Sequence, residues 1–286
     1  MNNIVETSPP ASDAPSTAQH PWGRYVALGD SFTEGIGDDD PHSPGGNRGW
    51  ADRVAEQLSH GPDDFAYANL AIRGRLITQI FDEQAGPALE LKPDLISLCA
   101  GGNDVIRPGG DPDAIADKLD ALMRVLATSN ATILLFTGPD IRDTPMLGGI
   151  RGKVAIYNEN VRTIATRYDA VVADMWSLRE LHQPRMWADD RLHFSPLGHH
   201  TIAAMALDAL NVPHQLQHLE PSEAEIKKWR EARRDDLTWA RTHLAPWVVR
   251  RIRHQSSGDG ISPKRPLAAP FTEKPPNASL GNGPAI

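Results

Sequence analysis

The sequence has a single cysteine, Cys99, among 286 residues, so no intrachain disulfide can form. Cys99 lies inside the apolar run from Leu95 to Ala100 and reads as a small core residue. No window approaches the ~18 continuous apolar residues of a membrane span. The opening stretch, Met1 to His20, is rich in Pro, Ser, Ala and Asp. It lacks both the positive start and the apolar centre of a secretory signal, and a cytoplasmic location is the resulting expectation. Positive charge is in deficit, with 29 Lys and Arg against 37 Asp and Glu. A net charge of −8 argues against nucleic acid as a general partner. The run Asp38-Asp39-Asp40 has none of the spaced partner ligands that a cation site needs, and reads as a solvated loop.

What is present is ordinary globular material. The chain is 40% hydrophobic and 23% charged, enough for one good-sized core. Residues 1–21 read as a disordered leader and residues 22–212 as the folded domain. Within that domain five short apolar runs are expected as strands: Tyr25 to Leu28, Phe65 to Ile72, Leu95 to Ala100, Thr132 to Phe136 and Ala170 to Met175. Helical spacing marks Gly49 to Ser59, Leu76 to Leu91, 112–128, Lys153 to Tyr168 and Pro196 to Leu210. The strands are nearly continuous apolar stretches alternating with helices, the pattern of a parallel sheet covered on both faces. In such open α/β sheets ligands gather at the carboxyl ends of the strands.

The residues able to do chemistry fall at those ends. Ser31 follows the first strand in Gly29-Asp30-Ser31, Gly74 follows the second, and Asn103 follows the third in Gly101-Gly102-Asn103-Asp104. Asp190 and His193 lie in the loop after the fifth. Acyl transfer needs a nucleophile, a base, a group to orient the base, and donors for an oxyanion. Ser31 suits the nucleophile. His193 suits the base, with a carboxylate three residues upstream in the loop after the fifth strand, and Asp190 suits the orienting group better than Asp189. The Ser31 and Gly74 N–H groups and the Asn103 amide suit the oxyanion donors. Asp30 and Asp104 read as capping or supporting groups. His199 and His200 fall inside the last helix, where a packing or surface role is expected.

These four stretches, in this order, resemble the four blocks of the SGNH, or GDSL-type, hydrolases: Gly29-Asp30-Ser31-Phe32 with Thr33-Glu34-Gly35; Gly74 after Asn69-Leu70-Ala71; Gly101-Gly102-Asn103-Asp104; and Asp190-Arg191-Leu192-His193. The resemblance covers about residues 22–210. Phe32 stands where leucine is frequent. The resemblance implies a flavodoxin-like three-layer fold with strand order 2-1-3-4-5, no metal or cofactor, and hydrolysis of small-molecule esters. Thioester hydrolysis or acyl transfer would use the same residues, and a non-catalytic binding module would keep the fold alone. No lid-like apolar segment lies within 22–210, which favours short acyl groups.

Beyond Val212-Pro213 the composition changes. Between Ile226 and His254 nine basic residues face three acidic ones, a local charge of +6 interspersed with tryptophans. Residues 213–254 are expected as a basic helical arm that packs on the domain or a second subunit, makes a peripheral contact with an anionic membrane surface, or forms a flap over an acyl pocket. Residues 255–286, rich in Gly, Pro and Ser, are expected to be disordered.

Overall fold

The computed structural model describes residues 20–144, 147–216 and 257–271. The 226–254 arm lies outside the described residues, as do residues 1–19 of the leader and residues 272–286. The domain is a three-layer α/β sandwich. Its elements are β1 (Arg24–Gly29), α1 (Ser31–Glu34), α2 (Gly49–Leu58), β2 (Ala66–Asn69), α3 (Ile77–Ile80), α4 (Gly86–Glu90), β3 (Leu95–Cys99), α5 (Gly102–Ile106), α6 (Pro112–Leu126), β4 (Thr132–Phe136), α7 (Arg151–Arg167), β5 (Val171–Ala173), α8 (Pro196–Ala209) and β6 (Arg265–Pro270). A π-helical turn, Phe81–Ala85, joins α3 to α4 without a break, so the expected single helix is continuous but locally underwound.

The sheet order is β5-β4-β3-β1-β2-β6. The first five strands are parallel and in the expected order. Alternation along each strand splits the core in two. Tyr25, Ala27, Leu95, Leu134 and Phe136 face α2 and α8, while Val26, Leu28, Ile96, Leu98, Ile133 and Leu135 face α3, α4, α6 and α7.

The sixth strand corrects the expectation of five and of a structureless segment after residue 255. Within that segment, β6 runs antiparallel to β2, pairing Ala66 with Pro270, Tyr67 with Ala269 and Asn69 with Arg265. Its prolines, Pro266 and Pro270, made the stretch read as a breaker. An edge strand tolerates them because one of its sides needs no N–H donors. At the other end, His20 already belongs to the folded domain: its Nε2 lies 2.7 Å from the Leu58 carbonyl and its ring stacks on Trp22. Among the described residues no helix is long and apolar enough to cross a membrane.

Candidate active site

The turn after β1 is shaped by Gly29. Its φ is +149°, and a Cβ there would come within 2.6 Å of the Cys99 carbonyl and of Thr33 Oγ1. Gln84, buried beneath, grips the same residue from both sides: Gly29 N–H donates to its Oε1 at 2.9 Å and its Nε2 donates to Gly29 O at 2.8 Å. The strand end is therefore fixed, and the chain enters α1 with Ser31 as the first helical residue. Asp30 caps that helix by accepting from Phe32 N at 3.2 Å. Beneath Ser31, Phe32 stacks on Trp50 and on His199, with ring centroids 5.4 and 5.9 Å away.

The loop between β5 and α8 brings the other predicted groups. Asp190 Oδ1 accepts from Leu192 N at 3.0 Å and from His193 N at 2.9 Å, an Asx turn that sets the carboxylate against the imidazole three residues on. Asp190 Oδ2 lies 2.5 Å from His193 Nδ1, and His193 Nε2 lies 3.1 Å from Ser31 Oγ. Asp189 is exposed beside them. Burial alone would raise the Asp190 carboxyl, but the hydrogen bond and charge of His193, with the two backbone donors, bring it down to about 2. The carboxylate is thus ionised across the neutral range, and the bond from Nδ1 leaves Nε2 free to accept from a hydroxyl.

Ser31, Gly74 and Asn103 all border one cavity, together with His193. Gly74 has φ +75°, and among the described residues its N–H meets no acceptor. Asn103 Nδ2 donates to Asp30 Oδ2 at 2.8 Å and to the Arg75 carbonyl at 3.2 Å. Asp30 is therefore more than a cap, since it also orients the amide. Burial raises its carboxyl to about 6, against the lowering effect of Phe32 N, His193 and Asn103. Asp104 accepts from Ile77 N at 3.1 Å and steadies the start of α3.

One feature was not read from the sequence. The cavity, about 350 Å³, is mostly apolar, walled by Phe136, Ile141, Leu147, Ile150, Val154 and Trp187 from separate elements. No contiguous apolar segment announces it. His199 is fully buried, and burial lowers its imidazole to about 4. Its Nδ1 accepts from Trp50 N at 3.2 Å and its Nε2 donates to the Ile36 carbonyl at 3.1 Å, which requires the neutral ring. Asp38, from the acidic run, is buried and held by Arg53 and Gly49 N rather than solvated, a correction explained by the arginine on α2. Among the described residues no group of three or more His, Cys, Asp or Glu side chains is placed to hold a metal ion.

The cavity lies at the carboxyl ends of the strands of a three-layer α/β frame, where such sheets gather their ligands. The model of the GDSL-like lipase/acylhydrolase family matches residues 27–201; the chain belongs to that family and is a carboxylic ester hydrolase. Similar solved structures include a candidate GDSL-like lipase from Parabacteroides merdae, 19% identical, covering 68% of this chain and 96% of its own, with a TM-score of 0.56. An α/β hydrolase from the metagenome of Lake Arreo is 21% identical, covering 66% and 95%, with a TM-score of 0.54. A catalytic variant of an acetylxylan esterase from Geobacillus stearothermophilus is 19% identical, covering 66% and 94%, with a TM-score of 0.54. At these identities the likeness is one of fold. No curated protein matches the sequence.

Proposed function

We propose that the chain cleaves carboxylic esters through Ser31, His193 and Asp190. The observation that carries this reading is the unbroken line from Asp190 Oδ2 through His193 to Ser31 Oγ, with steps of 2.5 and 3.1 Å. His193 Nε2 takes the hydroxyl proton as Oγ attacks the ester carbonyl, and Asp190 stabilises the imidazolium that results. The oxyanion is met by the N–H groups of Ser31 and Gly74 and by Asn103 Nδ2, whose longer bond, to Arg75 O, is the one the oxyanion competes for. His193 then returns the proton to the departing alkoxide. Water, activated by the same imidazole, releases the acid and restores Ser31.

The apolar wall favours an acyl group longer than acetyl, against the preference for short groups that the sequence suggests. A pocket of this size accommodates a ligand of several carbons, and each buried methylene adds about 0.8 kcal/mol, roughly fourfold in kcat/KM while room remains. The test is a fluorophosphonate probe with peptide mapping, beside turnover of p-nitrophenyl esters from acetate to octanoate. Labelling at Ser31, loss of about 10⁴-fold or more of turnover in Ser31→Ala, and a rise from acetate towards hexanoate are expected. Labelling elsewhere, or full turnover by Ser31→Ala, overturns the triad. A fall from acetate onward overturns the acyl preference alone.

A further inference from the structure

Residues 257–271 add a sixth strand beside the five parallel ones, and they also reach the edge of the sheet that carries Ser31. Ser257 borders the cavity that holds Ser31. Gly258 is buried against the loop that carries Gly74: a Cβ on it would stand 2.2 Å from the Arg73 carbonyl and 2.7 Å from Ile72 Cγ2. Asp259 Oδ1 accepts from Arg75 Nη1 at 3.2 Å, while Glu83 holds the same guanidinium through Nε at 2.7 Å. On the other flank Glu34 accepts from Arg73 N at 2.7 Å and from its Nε at 2.9 Å. The Arg75 carbonyl in turn receives Asn103 Nδ2 at 3.2 Å.

The segment is itself anchored deep in the domain. Lys264, with a side chain 2% exposed, donates through Nζ to Asp52 Oδ2 at 2.9 Å and to the carbonyls of Asn47 and Arg48 at 3.0 and 2.8 Å. Asp52 Oδ1 accepts from Tyr67 O–H at 2.9 Å. Asn69 Nδ2 donates to Tyr67 Oη at 3.0 Å and to the Thr33 carbonyl at 2.9 Å. A buried polar chain thus connects Lys264 to α1, two residues from Ser31. With β6 fixed on β2, residues 257–264 span the short distance from this anchor to the Gly74 loop.

We propose that residues 257–264 form a strap that positions the Arg73-Gly74-Arg75 loop, so that two of the three oxyanion donors, Gly74 N–H and Asn103 Nδ2, are held in place by the C-terminal segment. Gly258 and Asp259 are positioning residues: they act through Arg73 and Arg75 and touch no reacting atom. The inference rests on the oxyanion role given to Gly74 and Asn103 above.

The test uses the full chain with Gly258→Ala, Asp259→Asn and Asp259→Glu. Rates on p-nitrophenyl butyrate are expressed per Ser31 labelled by fluorophosphonate, so that unfolded protein is not counted. Amide hydrogen exchange across residues 72–76 is read separately, without substrate. Gly258→Ala sets a Cβ against the Arg73 carbonyl, so that the strap and the loop must part, and a displacement of about 1 Å is expected to cost roughly 10- to 100-fold in kcat with KM little changed. Asp259→Asn is expected to lose about threefold, with much of it recovered in Asp259→Glu, because an exposed ion pair contributes modestly. Faster exchange at 72–76 is expected in Gly258→Ala. Turnover within twofold of wild type in both Gly258→Ala and Asp259→Asn, or a change confined to KM, overturns the strap. If wild type neither labels nor turns over, the hydrolase reading fails, and the exchange data decide the strap: faster exchange in Gly258→Ala keeps it and unchanged exchange removes it.

Discussion

The wall of the site that carries Gly74 and the wall that carries Ile141, Leu147 and Ile150 are built from opposite materials. Around Gly74, two arginines are gripped by Glu34, Glu83 and Asp259, and each bond has a fixed direction. Across the cavity the surface is aliphatic and aromatic, with contacts that have area but no direction. The difference separates two tasks. Oxyanion donors must meet a developing charge within tenths of an ångström, and directed bonds supply that. An acyl chain needs only to leave water, and apolar area supplies that. Damage to the first wall should therefore appear in kcat, and damage to the second in the dependence of kcat/KM on chain length.

The largest effect should come from the directed wall. Asn103→Ala removes one of the proposed oxyanion donors and is expected to lower kcat about 10²- to 10³-fold for every ester tested, measured under saturating substrate. A loss that varied with acyl length would blur the contrast. Glu34→Gln weakens the clamp on Arg73 while keeping its shape, and a fall in kcat of about tenfold, independent of chain length, is expected from the slackened loop. On the apolar wall, Ile150→Trp fills cavity volume. It should reduce kcat/KM for octanoate by about tenfold and leave acetate nearly unchanged, since the cost is the lost room for a few methylenes. An equal loss for both esters would mean that this wall also positions the reacting carbonyl.

The smallest effect concerns the floor on which both walls stand. His199, under Phe32, is lowered to about 4 from an ordinary 6.5. A histidine whose folded value lies below its unfolded one contributes fully above pH 6.5 and loses that contribution as pH falls toward 4, here ~3 kcal/mol at most. Asp30, raised to about 6, works in the opposite sense over the same window, gaining stability as it takes up its proton. Thermal melts from pH 7 to 4 should therefore show a shallower decline in His199→Asn than in wild type. Parallel curves would remove His199 as the acid-sensitive group.

Much of this molecule is legible in its sequence, for identifiable reasons. Strands β1, β3 and β4 are buried on both faces, so each is a bare apolar run, and the turns after β1 and β3 carry the candidate groups Ser31 and Asn103. Asp190 and His193 are readable as a pair because an Asx turn needs only local spacing. The acidic run misleads because the partner of Asp38 is Arg53, on the next helix. The cavity is hidden because its apolar wall draws on residues scattered from Phe136 to Trp187, which become neighbours only in the folded domain. Strand β6 is hidden because it is largely exposed and proline-bearing. It becomes a strand by pairing with β2 and through Lys264, whose burial no local pattern announces.

The sixth strand also has a consequence for solubility. Without it, β2, Ala66–Asn69, would be the margin of the sheet, with unpaired backbone groups open to any passing extended chain. β6 occupies those groups, and two of its six residues are prolines, which offer no N–H to a further strand. The sheet is thus closed to growth by the segment that reaches the serine. A chain cut after Val212 would lose both, and its first symptom would be self-association rather than slow hydrolysis.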